Sequence, residues 1–129
     1  MFERLFSRSS KSKGRQGERL AESYLTQKAG LTILNRNWRC RSGELDFVAQ
    51  AKNGTVVFIE VKSRTSDQEG AWQAVNKTKQ ARLQRLAQTY LHFRGRSMET
   101  PCRFDAVAVD LSNGSVEHLE NAFIAESDF

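Results

Sequence analysis

The sequence has little cysteine and histidine, and it lacks any long apolar run. Two cysteines, Cys40 and Cys102, occur in 129 residues, so we expect reduced thiols rather than a disulfide framework. The two cysteines and two histidines show none of the close ligand pairs of zinc modules. The longest apolar runs, such as 56–59 and 106–109, have four residues, against about 20 in a membrane-spanning helix. These absences argue against disulfide-rich, zinc-module and helical membrane proteins.

The first residues do not show the pattern of a secretory signal. Residues 1–20 contain six Lys/Arg and no apolar stretch behind them, so we expect a cytoplasmic protein without a membrane partner. The chain is 39% hydrophobic and 27% charged, a balance typical of one soluble globular domain of this length. We expect a flexible basic arm over 1–14 and a single domain over 15–129.

Charge is distributed unevenly along the chain. Residues 1–41 carry a net charge of +7, residues 42–104 carry +4, and residues 105–129 carry −6. A basic body of this size is typical of a protein that binds a polyanion, most often nucleic acid. A solvated basic surface without a partner is the alternative.

Apolar spacing predicts the order of the elements. Residues 7–14 are small, polar and basic, whereas an apolar stripe from Leu20 to Leu25 predicts a helix over 15–29 that ends at Gly30. Two strands, a hairpin turn at 52–54 and a third strand follow. A long helix with a stripe from Leu83 to Leu91 precedes two further strands. The order α-β-β-β-α-β-β predicts a mixed α/β fold, with a mixed central sheet flanked by the two helices.

Charged residues interrupt the strands that are otherwise the most apolar. Glu44 and Asp46 share one face of their strand, and Glu60 and Lys62 share a face of the next. A two-residue loop between these strands would separate Asp46 from Glu60, whereas a three-residue loop 52–54 would oppose them. Opposed carboxylates repel and call for a cation. In the second register a divalent metal is the natural candidate.

This chemistry fits phosphodiester hydrolysis. Mg²⁺ binds a few carboxylate oxygens, keeps several waters and takes the rest of its shell from phosphate. A metal held by Asp46 and Glu60 can activate water, and Lys62 can position that water or stabilise the developing charge. The Asp/Glu-x-Lys spacing by itself is weak, because a composition with 15 acids predicts about one occurrence by chance. An exposed strand face bearing a salt bridge is the alternative.

Residues outside these two strands also allow both a functional and a purely structural interpretation. Glu18 lies at the edge of the apolar stripe of the first helix, so it can reach the metal, or it can simply complement the helix dipole. Phosphates can bind to basic side chains, although a solvated helix face is also common. The candidates for nucleic-acid binding are Arg39, Arg41, Arg64, Lys77, Lys79 and Arg82.

Several linked segments resemble one known family. They are residues 14–18 (Gly-Arg-Gln-Gly-Glu), 37–46 (Asn-Trp-Arg-Cys-Arg-Ser-Gly-Glu-Leu-Asp), 58–64 (Phe-Ile-Glu-Val-Lys-Ser-Arg), 74–79 and 103–105 (Arg-Phe-Asp). Together they are similar to the YraN-type family of bacterial proteins, whose expected activity is that of an endonuclease. The family belongs to the restriction-endonuclease-like superfamily and is similar to Holliday-junction resolvases.

The resemblance implies a fold, an activity and a set of roles. It implies a restriction-endonuclease-like core and a Mg²⁺- or Mn²⁺-dependent nuclease acting on DNA, including branched or junction DNA. By the same resemblance, Glu18, Asp46, Glu60 and Lys62 match the active-site positions of the superfamily, the three acids as metal ligands. A resolvase would further imply a two-fold homodimer. A non-catalytic module that binds DNA or RNA through the same basic surface is the alternative function.

Overall fold

A computed structural model describes residues 2–65 and 76–123 of the chain, with the side chains of residues 2–13 outside the description. Two helices and five strands occur in these ranges. They are α1 (Phe2–Gln27), β1 (Thr32–Cys40), β2 (Gly43–Gln50), β3 (Val56–Arg64), α2 (Lys77–Phe93), β4 (Cys102–Asp110) and β5 (Ser115–Phe123). Neither helix is long and apolar enough to cross a membrane.

The five strands form one mixed sheet in the order β1-β2-β3-β4-β5. Neighbours are antiparallel except β3 and β4, which are parallel and joined through α2. A parallel pair needs such a crossover, whereas antiparallel neighbours need only a short turn. The predicted mixed α/β fold with the order α-β-β-β-α-β-β is confirmed, and it is consistent with a restriction-endonuclease-like core.

A separate apolar core lies on each face of the sheet. On one face, Ala21 and Leu25 of α1 pack against alternate residues of β2, β3 and β4. On the other face, Leu83, Leu86 and Tyr90 of α2 pack against the residues in between. Alternation of side chains along each strand therefore supplies both cores from the same three central strands.

The bounds of the first helix differ from the prediction. The expected helix covered 15–29, whereas α1 begins at Phe2 and ends at Gln27. The expected basic arm, 1–14, falls almost entirely on the part of α1 without described side chains, and its mobility stays a prediction. The predicted end of the helix agrees better with the structure. Gly30, just after α1, has a φ of +71°, a left-handed conformation that favours glycine at the end of a helix.

Candidate active site

The β2–β3 hairpin decides whether Asp46 and Glu60 come together. Ala51 and Thr55 close a three-residue loop, 52–54, and the φ of Gly54 is +92°. Phe47 pairs with Ile59 and Gln50 with Val56, so the register is the one expected from the three-residue loop. This register directs the acids of the two strands toward each other.

The hairpin opens immediately beyond Phe47 and Ile59, the last paired residues of β2 and β3. The backbone N–H of Val61 donates to Oδ2 of Asp46 at 2.8 Å. The Asp46 carboxylate therefore takes the place of a main-chain acceptor where the two strands separate. A buried carboxylate that accepts a backbone N–H has a fixed position, which is what a ligand or a general base requires.

Strand β2 changes faces at Asp46. Leu45 packs into the core on the α2 side, but Phe47, two residues later, packs into the core on the α1 side, although residues i and i+2 of a regular strand share a face. Strand β1 makes the same change at Asn37, which lies between the pairs Arg36–Phe47 and Trp38–Leu45 and has a φ of +50°. The irregularity thus sets Asp46 at the boundary between the two faces.

The surroundings of Asp46 disfavour its charged form. Burial, followed by the charge of Glu60, raises the pKa of Asp46 to about 7, against the lowering effect of the Val61 N–H. The charges of Glu18 and Glu44 raise this pKa further. Asp46 is therefore the carboxyl group that senses the other three acids, and it is balanced between its two protonation states near neutral pH.

Glu60 faces α2. Its side chain is 13% exposed, and Oε1 lies 3.8 Å from Lys79 Nζ and 3.7 Å from Arg82 Nη2. Burial raises the pKa of Glu60, while the charges of Lys79 and Arg82 lower it. The separations are long for hydrogen bonds, so the two cations offset part of the charge of Glu60 without occupying its oxygens.

Glu18 reaches the same region from the opposite side of the sheet. A Cβ atom at the preceding residue, Gly17, would lie 1.6 Å from Ser63 Oγ, so glycine alone lets α1 approach β3 this closely. Burial raises the pKa of Glu18, while a side-chain hydrogen bond from Asn37 lowers it. Three elements therefore contribute to a single electrostatic cluster of four acids: α1 and β3 supply one acid each, and β2 supplies Asp46 and Glu44.

A groove beside this cluster is lined by both signs of charge. It has a volume of about 540 Å³ and is lined by Gly14, Arg15, Glu18, Asn37, Arg39 and Glu44. Glu44 Oε2 lies 3.0 Å from Arg39 Nε. Glu44, to which the sequence analysis gave no role, therefore forms an ion pair with a residue of β1. This pair is exposed enough to be weak, which leaves Arg39 able to turn toward a phosphate.

The remaining predicted residues lie around the same end of the sheet. Lys62 is half-buried on β3, on the face that Glu60 shares. Arg41 is exposed at the β1–β2 turn, and Lys77 is exposed at the first position of α2. Arg64 ends β3 with its Nε and Nη1 atoms buried and without a hydrogen-bond partner. These two N–H donors could hydrogen-bond to an anion such as a phosphate, and the charge of Arg64 also acts on Asp110 of β4.

The residues present fit a Mg²⁺ or Mn²⁺ ion that takes only part of its shell from protein. Within the ranges that the structure describes, no group of three or more His, Cys, Asp or Glu side chains is arranged as a complete metal site. Mg²⁺ does not need one, because it commonly binds one or two carboxylates together with waters and substrate phosphates. The repelling acids Asp46 and Glu60 supply hard oxygen donors and an excess of negative charge, with Glu18 nearby.

Sequence reasoning missed two polar features. The first is Asn37. An asparagine within a strand is the signal that could have identified it, because Asn tolerates a left-handed backbone conformation that most other residues avoid. The second is Asp105, which is 1% exposed, accepts from Arg103 Nε at 3.1 Å and lies 2.8 Å from His118 Nε2. A charged residue inside an apolar strand was the signal that singled out Glu60, and it applies equally to Asp105.

The buried Asp105 network holds α1 to the far edge of the sheet. His118 Nδ1 lies 3.2 Å from the hydroxyl of Tyr24 on α1, and the backbone N–H of Asn121 donates to Asp105. Because a carboxylate only accepts, Nε2 of His118 donates to Asp105. The network thus fixes the helix that carries Glu18, without contributing a group to the acid cluster.

Comparison with known proteins gives relatives that span nearly the whole chain. A Pseudomonas aeruginosa UPF0102 protein is 43% identical over 122 residues, covering 91% of this chain and 96% of its own length. A Stutzerimonas stutzeri UPF0102 protein is 46% identical over 117 residues, covering 88% and 96%. The solved structure of Pyrococcus furiosus SfsA in complex with Ca²⁺ is similar at 16% identity and a TM-score of 0.32, covering 86% of this chain and 63% of that one.

The family profile agrees with these relatives. It matches residues 17–109, a range that begins at Gly17 and includes Glu18, Asp46, Glu60 and Lys62. The family is the one that the linked sequence segments resembled, and its description names no activity. This chain belongs to the uncharacterised protein family UPF0102, the YraN family.

Proposed function

We propose that this protein is a Mg²⁺- or Mn²⁺-dependent endonuclease that hydrolyses phosphodiester bonds in DNA. The observation that carries the proposal is the position of Asp46, whose pKa is raised to about 7 by burial and by the charge of Glu60. A protein that keeps several repelling carboxyl groups together gives up stability, and a bound divalent cation recovers it. The net charge of +5 supports a polyanionic substrate.

Asp46 and Glu60 would hold the metal, and Glu18 would support it from α1. When bound, the metal supplies an activated water and neutralises charge on the phosphate and the leaving oxygen. The Val61 N–H holds the carboxylate of the half-buried Asp46 in place. Lys62, on the Glu60 face of β3, would position the attacking water or stabilise the charge that develops on phosphorus-bound oxygen.

The cations of α2 have a complementary role. Lys79 and Arg82 lie within 4 Å of Glu60 in the free protein. Once a divalent ion neutralises Glu60, these side chains are released to bind phosphate oxygens. Arg82 also has a buried Nε without a hydrogen-bond partner, a donor that a phosphate would satisfy. Arg39, Arg41, Arg64 and Lys77 would extend the phosphate contacts around this end of the sheet.

The direct test is cleavage of single-stranded, duplex, flapped and four-way-junction DNA with Mg²⁺ and with Mn²⁺. Glu60→Gln and Asp46→Asn keep size and hydrogen-bonding capacity but remove the charges. We expect each to reduce cleavage by at least about 100-fold, as for losses around metal sites, while DNA binding changes little. Glu22→Gln is the matched control, because Glu22 lies on α1 but pairs with Arg36 instead.

The outcomes separate the two candidate functions. Cleavage by the wild type and by Glu22→Gln, with loss in Glu60→Gln and Asp46→Asn, supports the nuclease. Equal cleavage by all four proteins indicates a contaminating nuclease and contradicts the proposal. Metal-independent binding without cleavage by any of them favours the non-catalytic nucleic-acid-binding module, which the uninterrupted positive charge of α2 also supports.

A further inference from the structure

An exposed aromatic side chain lies at the end of α2. Phe93 is 70% exposed, and its ring centroid is 6.0 Å from that of the half-buried Trp38 on β1. A single exposed phenylalanine is common on protein surfaces, whereas an exposed ring next to a second aromatic ring offers a continuous surface on which a ligand can stack. Among the described residues, Met98 is the only other large hydrophobic side chain exposed to a comparable degree, at 45%.

The Trp38 ring is fixed, whereas Phe93 projects. The ring centroids of Trp38 and Tyr90 are 5.3 Å apart, and the two rings are nearly perpendicular. The Tyr90 hydroxyl donates to Oδ1 of Asn35 at 2.6 Å. The protein therefore buries one side of this aromatic group in the α2 core and presents the other side to solvent. Such a surface is preorganised, so a flat ligand can stack on it at little cost in side-chain entropy.

The charges around these aromatic rings select the kind of ligand. Residues 77–96 contain six Lys/Arg and no Asp or Glu. The guanidinium carbon of Arg94 lies 5.9 Å from the ring centroid of Tyr90, the ring against which Trp38 packs. Aromatic rings that accept bases, next to cations that follow a backbone, are the combination used to bind single-stranded nucleic acids.

We propose that Phe93 and Trp38 form a stacking surface for the unpaired bases of single-stranded nucleic acid. The phosphates of that strand would follow the cations of α2 from Arg94 toward Arg82. The helical rise places Phe93 about 16 Å from Arg82, a distance of about five nucleotide steps in a duplex strand. This inference deepens the proposed function, on which it rests for the substrate class, namely DNA with an unpaired segment. The binding itself needs no cleavage and can be measured separately.

The test measures binding in EDTA, so that it is independent of any metal-dependent activity. Fluorescence anisotropy is recorded with an oligothymidylate of about 12 nucleotides, an oligouridylate of equal length and a blunt duplex. Phe93→Ala removes the stacking ring, Phe93→Trp restores one, and Met98→Ala removes a non-aromatic exposed side chain. Because Phe93 is largely exposed, we expect Phe93→Ala to fold as the wild type does.

We expect Phe93→Ala to weaken oligothymidylate binding by about 5- to 150-fold, the range for loss of one base stack. Duplex affinity should change less than about twofold, and Phe93→Trp and Met98→Ala should bind like the wild type. Oligouridylate differs from oligothymidylate in the sugar and in the C5-methyl group of the base but offers the same ring face, so Phe93→Ala should weaken its binding as well. Equal weakening on single strand and duplex, or an equal effect of Met98→Ala, overturns the proposal.

A second copy of the chain is the other occupant that the test can reveal. If Phe93→Ala shifts the oligomeric state in light scattering and leaves oligothymidylate binding unchanged, the surface is a self-association interface and the stacking proposal is wrong. The cleavage test with Glu60→Gln is separate, because the proposed nuclease can fail there while Phe93-dependent binding persists.

Discussion

The Asp46 carboxylate accepts the backbone N–H of Val61 at 2.8 Å, just beyond the last main-chain pair of β2 and β3. A side chain thus completes the hydrogen bonding of an opening hairpin. The arrangement satisfies a donor that would otherwise be buried and unpaired, and it fixes a carboxyl group among three other acids.

Asp46→Asn should stabilise the protein at alkaline pH. The pKa of Asp46 is 3.8 in an unperturbed side chain and about 7 in the folded protein, so the folded state holds this proton more tightly. The free energy of unfolding therefore falls as pH rises from about 4 to 7. The amide stays neutral and still accepts from Val61, so we expect a gain on the order of 3 kcal/mol at pH 8 and little at pH 4.

Urea unfolding of the wild type and Asp46→Asn at both pH values checks this prediction. Glu22→Gln is the control, since an Arg36 hydrogen bond lowers the pKa of Glu22 and removal of its charge should give no alkaline gain. The same gain at pH 4 and pH 8 would show that the effect does not come from the Asp46 charge.

Metal binding should strengthen as pH rises through about 7. A metal competes with the proton on Asp46, so Mn²⁺ affinity should fall up to about tenfold per pH unit below this pKa and level off above it. Calorimetric titration with Mn²⁺ at pH 6, 7 and 8 measures the dependence. Asp46→Asn should lose both the affinity and its pH dependence, and a variant that keeps them places the metal elsewhere.

Gly17→Ala should lower both stability and metal-dependent activity. The added methyl would lie 1.6 Å from Ser63 Oγ and 2.8 Å from its Cβ, so α1 must move away from β3 and carry Glu18 with it. We expect a loss of about 1–3 kcal/mol, as for overpacking of a core. Urea unfolding gives the stability, and single-turnover cleavage gives the activity.

Two further variants test whether this contact is the cause. Gly17→Ala combined with Ser63→Gly removes the obstructing side chain and should recover much of the loss. Gly14→Ala, also on α1, has no heavy atom within 4 Å of its new Cβ and should stabilise the helix slightly. If Gly14→Ala is as harmful as Gly17→Ala, the close approach to Ser63 is not the reason.

Asp105→Asn should destabilise the protein without abolishing metal binding. Burial alone would raise the pKa of Asp105, but hydrogen bonds from His118, Arg103 and the Asn121 backbone hold it below its usual value. Loss of the charge leaves these donors poorly paired, at a cost of about 3 kcal/mol. Glu120→Gln, on the 62% exposed partner of Arg103, should cost less than about 1 kcal/mol.

The same network predicts part of the acid sensitivity. Because the folded-state pKa of Asp105 is lowered, its contribution is present above the unperturbed value of 3.8 and is lost as pH falls through the folded value. Urea unfolding at pH 7 and pH 3 should show a smaller acid loss for Asp105→Asn than for the wild type. Equal losses would assign the acid sensitivity to other carboxylates.

Local patterns in the sequence determined more of the site than its individual motifs did. The turn at 52–54 limited the hairpin to two registers, one for a two-residue loop and one for a three-residue loop, and the structure adopts the second. Loop geometry is a short-range property, readable from a glycine at the required position. In contrast, the start of α1 was misplaced, because the polar residues before Arg15 lack the apolar spacing by which a helix is recognised.

Tertiary structure decided on which face of the sheet each acid lies and which side chains surround it. The face changes at Asn37 and Asp46, the direction of Glu60 toward α2 and the approach of α1 at Gly17 all depend on contacts between residues far apart in the chain. The Asp105–His118–Tyr24 network joins three elements in the same way.

The sequence by itself therefore determined the type and order of the elements and narrowed the β2–β3 hairpin to two registers, since alternation, helical spacing and turn residues act over a few positions. Only the tertiary structure decided that acids from α1, β2 and β3 form one cluster and that Asp46 lies where two strands separate. Packing two helices on opposite faces of one sheet is a long-range choice, made by shape and burial over the whole chain.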